Sequence, residues 1–312
     1  MIEILTVGEI LVEIMRPEIG IPLDIPGSFK GPYPSGAPAI FIDTVAKLGH
    51  SAAMVGGVGN DKLGRVCLEK LKKDGVDTSG IKVSELPTGV AFVAYFKDGS
   101  RKFIYYIRNS AASDVGDLSD NKIKTAKIFH VMGCSLMIKK ELAEKIIKYA
   151  TMVKKSGGIV SFDPNIRSEL MNKDYIRETV KTISNISEII LPGLKELLLI
   201  ANTDDKATAI KKVLEKAEML VLKQGKKGCE IYSKDLKEPL TIPSFKVDEV
   251  DPTGSGDSFD AGFLCAYLEG KSIYDCGVLA NACGALNNTK LGPMEGVLER
   301  KIVDRFLKNY KA

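Results

Sequence analysis

Residues Asp251-Pro-Thr-Gly-Ser-Gly-Asp257 place three small residues and a carboxylate at the start of an apolar, helix-forming run, Ser-Phe-Asp-Ala-Gly-Phe-Leu264. A helix start carries unpaired backbone N–H groups and the positive end of the helix dipole. Gly254, Ser255 and Gly256 offer little obstruction, so an anion such as a phosphate can approach that backbone closely. Asp257, in the first turn, could accept a proton from a hydroxyl while the N–H groups hold negative charge. The same carboxylate could equally do no more than cap its helix, and the local chemistry alone leaves both readings open.

Other chemistries are excluded more firmly. A nicotinamide-binding turn needs G-x-G-x-x-G after the first strand, and Gly57-Val-Gly59 runs on to Lys62 where the third glycine belongs. Gly270-Lys271-Ser272 mimics the end of a P-loop, but Cys265 stands at the first-glycine position, between two helical segments. Six cysteines are scattered without a C-x-x-C pair, and the only histidines are His50 and His130, so no zinc pattern arises. The cysteines read as reduced, buried thiols of a cytoplasmic protein.

These residues must be carried by a scaffold. With 312 residues, 45% of them hydrophobic, the chain can bury a large core. The charge of +4 is mild and forms no dense basic block, which argues against a nucleic-acid partner and leaves room for a small anionic substrate. The first fifteen residues carry Glu3, Glu9 and Glu13 and read as strands, not as a signal peptide; no apolar run reaches the ~18 residues that span a bilayer. Gln224 is the one glutamine, and Lys, Glu and Ile abound, a composition that fits either a thermophilic source or a drift in base composition.

Periodicity predicts strands at 2–7, 52–55, 127–131, 158–163, 189–191, 219–222 and 229–232. Helices are predicted at 39–48, 61–73, 139–155, 175–186, 194–200, 207–216, 258–268, 273–287 and 295–310. The alternation predicts an α/β fold, a doubly wound, mostly parallel sheet with helices on both faces. Residues 89–96 and 101–107 flank Asp98-Gly99 and predict an antiparallel hairpin outside that sheet. The expected organisation is one domain over 1–312, with a small β lid contributed by about 9–35 and 88–112.

The string D-P-T-G-S-G-D-S-F-D-A-G-F closely resembles the C-terminal signature of the ribokinase-like (PfkB) carbohydrate kinases. Ser35-Gly-Ala-Pro-Ala39, Lys47-Leu-Gly49 and residues 55–64 (V-G-G-V-G-N-D-K-L-G) resemble that family's first signature, so the likeness spans essentially the whole chain. It implies an ATP-dependent phosphotransferase acting on a sugar hydroxyl, with Mg²⁺ held mainly through ATP. By that resemblance Asp257 is the catalytic base, and Gly254, Ser255 and Gly256 form the anion hole. Asp251 shapes the loop and helps to bind a monovalent cation such as K⁺. Residues 221–228 (V-L-K-Q-G-K-K-G) resemble the nucleotide loop, which makes Lys223, Gly225 and Gly228 ATP-site candidates, with Asn281 bordering the adenine. The magnesium- and phosphate-linked N-x-x-E element becomes Gly193-Leu-Lys-Glu196, which keeps Glu196 but not the Asn side chain. Ile40 stands where an Asn usually follows G-A-P-A.

For the sugar, the resemblance points to Glu13, Gly36, Ala37, Tyr106, Arg108 and Arg167. The string Phe162-Asp-Pro-Asn-Ile-Arg167 is similar to fructokinases and 2-keto-3-deoxygluconate kinases, and an Arg pair would suit a carboxylate. An acidic keto-deoxy sugar, a neutral ketohexose and ribose all remain compatible. A nucleoside kinase on the same fold and a non-catalytic sugar sensor are the alternatives. Lid edges can pair between subunits, giving a homodimer.

Overall fold

The computed structural model describes residues 1–166 and 174–310. Thirteen strands are numbered along the chain: β1 (Ile4–Val7), β2 (Leu11–Met15), β3 (Lys30–Ser35), β4 (Ala52–Gly59), β5 (Asp77–Ser84), β6 (Gly89–Tyr95), β7 (Arg101–Tyr106), β8 (Ile128–Met132), β9 (Ile159–Asp163), β10 (Ile189–Ile190), β11 (Met219–Lys223), β12 (Cys229–Ser233) and β13 (Leu240–Ile242). Nine form the main sheet in the order β13-β12-β11-β10-β9-β8-β1-β4-β5. All neighbours are parallel except β11–β12 and β12–β13. The fold is therefore the doubly wound α/β sheet that the sequence predicts.

Burial explains why the central strands read as continuous apolar runs: ILTV of β1, IFHVM of β8 and all eight residues of β4 are buried. One core lies under helices Ala37–Lys47, Lys62–Lys73, Ser255–Leu268 and Ile273–Asn287. The other lies under Lys140–Lys155, Asp174–Ile186, Leu194–Ala201 and Lys206–Leu214. The chain leaves β1 towards β4 on one side, and β8 and its successors lie on the other. That reversal opens a crevice at the carboxyl ends of the strands.

A second sheet, β3-β2-β6-β7, stands apart from the first. Its β6–β7 hairpin is antiparallel, from Val90 opposite Tyr106 to Tyr95 opposite Arg101, and β2 pairs with β6 in parallel. Strand β7 alternates half-buried Arg101, Phe103 and Tyr105 with exposed Lys102, Ile104 and Tyr106. The predicted helix at 295–310 begins only at Arg300, and the one predicted at 258–268 begins earlier, at Ser255. Among the described residues no helix is long and apolar enough to cross a membrane.

Candidate active site

Helix Ser255–Leu268 starts at the carboxyl edge of the main sheet, with Gly254 as its N-cap at φ +83°. A Cβ there would stand 2.6 Å from the Pro293 carbonyl oxygen, so only glycine fits without displacement. The tip is fixed from three sides. Asn287 donates to the Thr253 carbonyl at 2.8 Å, Ser255 donates to the Gly284 carbonyl at 3.1 Å, and the Thr44 and Ser258 hydroxyls share a hydrogen bond of 3.2 Å. Among the described residues, a Cβ on Gly256 would meet only Lys223 Nζ, at 3.7 Å. The helix tip thus presents open backbone, which fits an anion.

A cavity of about 220 Å³ lies in front of this tip, and residues of the small sheet line one side of it. Gly254, Gly256 and Asp257 line it from the helix; Glu9, Cys134, Asp163 and Lys223 line it from the carboxyl ends of the main strands. Glu13, Gly36, Ala37 and Ile40 line its other end, and Arg101, Phe103 and Tyr105 hang from β7. Gly36, at φ +110°, could not carry a Cβ because the Glu9 carbonyl oxygen would lie 2.5 Å away. Glu13 is buried and accepts a 3.0 Å hydrogen bond from the Ser35 hydroxyl.

Behind Asp257 runs a buried polar chain. Asn165 donates to Asp257 Oδ1 at 3.2 Å. Lys223 donates to Asp163 Oδ2 at 2.8 Å and to both Asp260 oxygens at 3.1 Å. Burial alone would depress the Lys223 ammonium, but Asp163 and Asp260 outweigh it and hold its pKa above the ordinary value. Burial also pushes Asp163 upwards, yet the lysine beside it wins and keeps it below the usual carboxylate range. Asp260, wholly buried and next to Asp163, is pushed well up. Glu196 accepts one backbone amide on each oxygen, from Ile166 and from Gly193, both at 2.8 Å; burial and then the charge of Asp163 raise its pKa.

Several expected site residues lie elsewhere. Tyr106 and Arg108 do not line the 220 Å³ cavity but a second one, on the opposite face of the small sheet. The reason is the two-residue period of a strand: Tyr105 points inwards, so Tyr106 points away. Gly228 and Asn281 also stand outside the cavity and meet at one segment. A Cβ on Gly228 would strike the Ile242 carbonyl oxygen at 2.0 Å, and Asn281 donates to that oxygen at 3.2 Å and to that of Pro243 at 3.3 Å. Gly225 sits in the neighbouring turn at φ +58°. Asp251 accepts from Tyr95 O–H and Thr253 N–H, each at 3.0 Å, and from Gly292 N–H at 3.0 Å. These three partners are all hydrogen-bond donors, and among the described residues no cluster of three His, Cys, Asp or Glu could hold a metal. Arg167 lies outside the described residues.

The pfkB family carbohydrate kinase model matches residues 2–300. The chain belongs to that family. Probable fructokinase-4 of Arabidopsis thaliana is 32% identical over 320 residues, covering 98% of this chain and 96% of the plant protein. Fructokinase-2 of Oryza sativa subsp. japonica is 32% identical, over 93% of this chain and 89% of its own length. Among solved structures, a candidate Ribokinase II from E. coli in complex with ATP and Mg²⁺ is 38% identical, with a TM-score of 0.91 over 99% of this chain and all of that one. As a member of the family, this chain is a phosphotransferase that acts on a sugar hydroxyl.

Proposed function

We propose that this carbohydrate kinase transfers the γ-phosphoryl group of ATP to a hydroxyl of a neutral ketohexose, D-fructose first among them, with Asp257 as general base. One observation carries the reading. Asp257 is buried, 6% exposed, and lines the same 220 Å³ cavity as Gly254 and Gly256 at a helix N-terminus. Acceptor hydroxyl, base and anion hole can therefore share one small space, as phosphoryl transfer requires.

ATP supplies the phosphoryl group, and a divalent ion on its phosphates neutralises charge that develops there. The chain's own residues do the rest. Asp257 takes the hydroxyl proton. The backbone at Gly254, Ser255 and Gly256 holds the migrating anion. Lys223, neutralised by two carboxylates, positions the floor of the site and is not a mobile phosphate clamp. Gly225, Gly228 and Asn281 would wall the rest of the nucleotide, and Glu196, which lines the cavity, would face the divalent ion that ATP carries. The small sheet closes over the sugar and limits water. A monovalent cation near Asp251 and pairing of two copies through the small sheet belong to the same reading; K⁺ dependence and sedimentation test them.

The neutral sugar is favoured by Glu9 and Glu13, two buried carboxylates that line the cavity beyond Asp257 and suit hydroxyl donors. The plant relatives named above are fructokinases. Arg101, which lines the same cavity, favours a second reading, an acidic keto-deoxy sugar. A coupled kinase assay over D-fructose, 2-keto-3-deoxy-D-gluconate, D-ribose and adenosine tests the reading. Turnover should be highest with fructose, and Asp257→Asn should lower kcat by about 10²–10⁴. Preference for the sugar acid would replace the substrate assignment; sugar binding without ATP consumption would make the chain a sensor.

A further inference from the structure

We infer that Asn165 is a positioning residue that holds the Asp257 carboxylate in its working orientation, an inference that rests on Asp257 being the base. Three observations converge on it. The first is backbone. Asn165 and Asn202 are the non-glycine residues at positive φ among the described residues, at 37° and 49°. Asn202 is explained as the left-handed C-cap of helix Leu194–Ala201. Asn165 ends no helix; it follows β9 and Pro164 directly beneath Asp257. Residues held in that sparsely populated region persist where the surroundings impose them, and they gather at functional sites.

The second is the hydrogen-bond fork. Asn165 Nδ2 lies 3.2 Å from Asp257 Oδ1 and 3.4 Å from Asp163 Oδ2, while its own backbone N–H donates to Asp163 Oδ1 at 3.1 Å. Asp163 in turn is fixed by Lys223 at 2.8 Å. The base is thus tied through one amide to an ion pair anchored on the carboxyl ends of β9 and β11.

The third is what the amide gives up. Asn165 is 8% exposed, and its Oδ1 is buried with no hydrogen-bond partner among the described residues. Rotating the amide by half a turn would point that oxygen at two carboxylates, so the orientation is dictated by them. An orphaned buried acceptor is unfavourable. The fold keeps it, and what it retains in exchange is the donor to Asp257.

The test is Asn165→Gly, which suits the positive φ and removes the side chain with its amide. With D-fructose, ATP and Mg²⁺, kcat should fall by about 10–100-fold while KM stays within about 2-fold, because a misaimed base binds sugar but deprotonates it poorly. In the Asn165→Gly/Asp257→Asn double variant the losses should not multiply, since the amide acts through the carboxylate. A crystal structure of Asn165→Gly, with no sugar needed, should show the Asp257 carboxylate turned from its wild-type orientation. Wild-type kcat, multiplied losses, a rise confined to KM or an unmoved carboxylate would each overturn the inference. If Asp257→Asn itself turns over normally, the base assignment has failed; if Asp257→Asn is slow and Asn165→Gly is not, only the positioning has.

Discussion

Lys223 reaches across β10 to Asp163, 2.8 Å from Nζ to Oδ2, and so joins the carboxyl ends of two strands that are not neighbours in the sheet. Strand β10 is only two residues long, which leaves the gap that the ion pair bridges. The same ammonium serves Asp260 on the helix above. One buried cation therefore couples the sheet to the helix that carries Asp257.

Lys223→Met should for that reason destabilise the protein by about 3–5 kcal/mol at pH 7, the usual effect of stranding a buried charge. The pH dependence identifies the cause. In the wild type Asp163 is held below its ordinary value, so its contribution is present at neutral pH and lost as pH falls. Without the lysine, burial raises both carboxyls. The variant's native state then binds protons that the unfolded chain has released, and its deficit shrinks between pH 7 and pH 5. Urea unfolding at both values measures this; an equal deficit at each would refute the ion-pair account.

Gly254→Ala and Gly256→Ala should part company. At 254 the methyl meets a carbonyl oxygen at 2.6 Å with φ at +83°, and unfolding free energy should drop by about 1–3 kcal/mol. At 256 the methyl finds only Lys223 Nζ at 3.7 Å, so stability should change by less than ~1 kcal/mol. The cavity it lines is nonetheless narrowed at the helix tip, and kcat/KM should fall by at least about 10-fold. A stable Gly256→Ala enzyme with full activity would remove residue 256 from the anion hole.

Much of this site can be read from the sequence, and the unread part has a common cause. Gly254, Gly256, Asp257, Gly36, Ala37 and Glu13 line the cavity together, whereas Ser255 turns its hydroxyl to the Gly284 carbonyl. Asp163 and Asn165 lie in the string Phe162–Arg167, but the pattern gives them no role, and His130 and Arg101 are brought near by topology alone. Asp260 did leave a signal, a carboxylate three residues after Asp257 in a helix buried on nearly every side. Strand β7 carries aromatics on both faces, so its parity could not be settled from the pattern, and Tyr106 fell on the wrong side. The pattern does not announce strand β5, because DTSGIKVS is polar and glycine-bearing, as an edge strand with few buried positions can be.

His130 supplies a pH signature. The ring is fully buried, stacked on Phe41 at 4.0 Å and hydrogen-bonded to the Ser161 hydroxyl, and burial pushes its pKa down to about 3. The unfolded chain binds a proton near pH 6.5 that the native state refuses, so stability falls as pH drops through that window, by about 1.4 kcal/mol per unit. Asp43 opposes it: burial raises that carboxyl to about 7, so the native state keeps a proton that the unfolded chain loses above about pH 4. In His130→Asn the first slope disappears and the second remains. Relative to wild type, the variant should gain stability from pH 6.5 to pH 4.5. Parallel stability curves would show that the imidazole is not buried neutral.

The small sheet is tied to the core where the proposed chemistry takes place. Tyr95, at the end of β6, donates to Asp251 Oδ1 at 3.0 Å and shares a 3.0 Å hydrogen bond with the Thr253 hydroxyl; Arg101 of β7 reaches that hydroxyl at 3.4 Å. Asp251 also receives Gly292 N–H, so one buried carboxylate links strand β6 of the small sheet to the loop entering the helix of Asp257. Tyr95→Phe removes the phenol and leaves Asp251 short of a donor, a change worth about 1 kcal/mol. That weakens closure about 5-fold, and a cavity that stays open longer admits water to the phosphoryl site. Sugar-independent ATP hydrolysis should rise by about that factor relative to sugar phosphorylation, as measured in the coupled assay with and without D-fructose. An unchanged ratio would mean that the Tyr95 contact does not govern closure of the small sheet over the cavity.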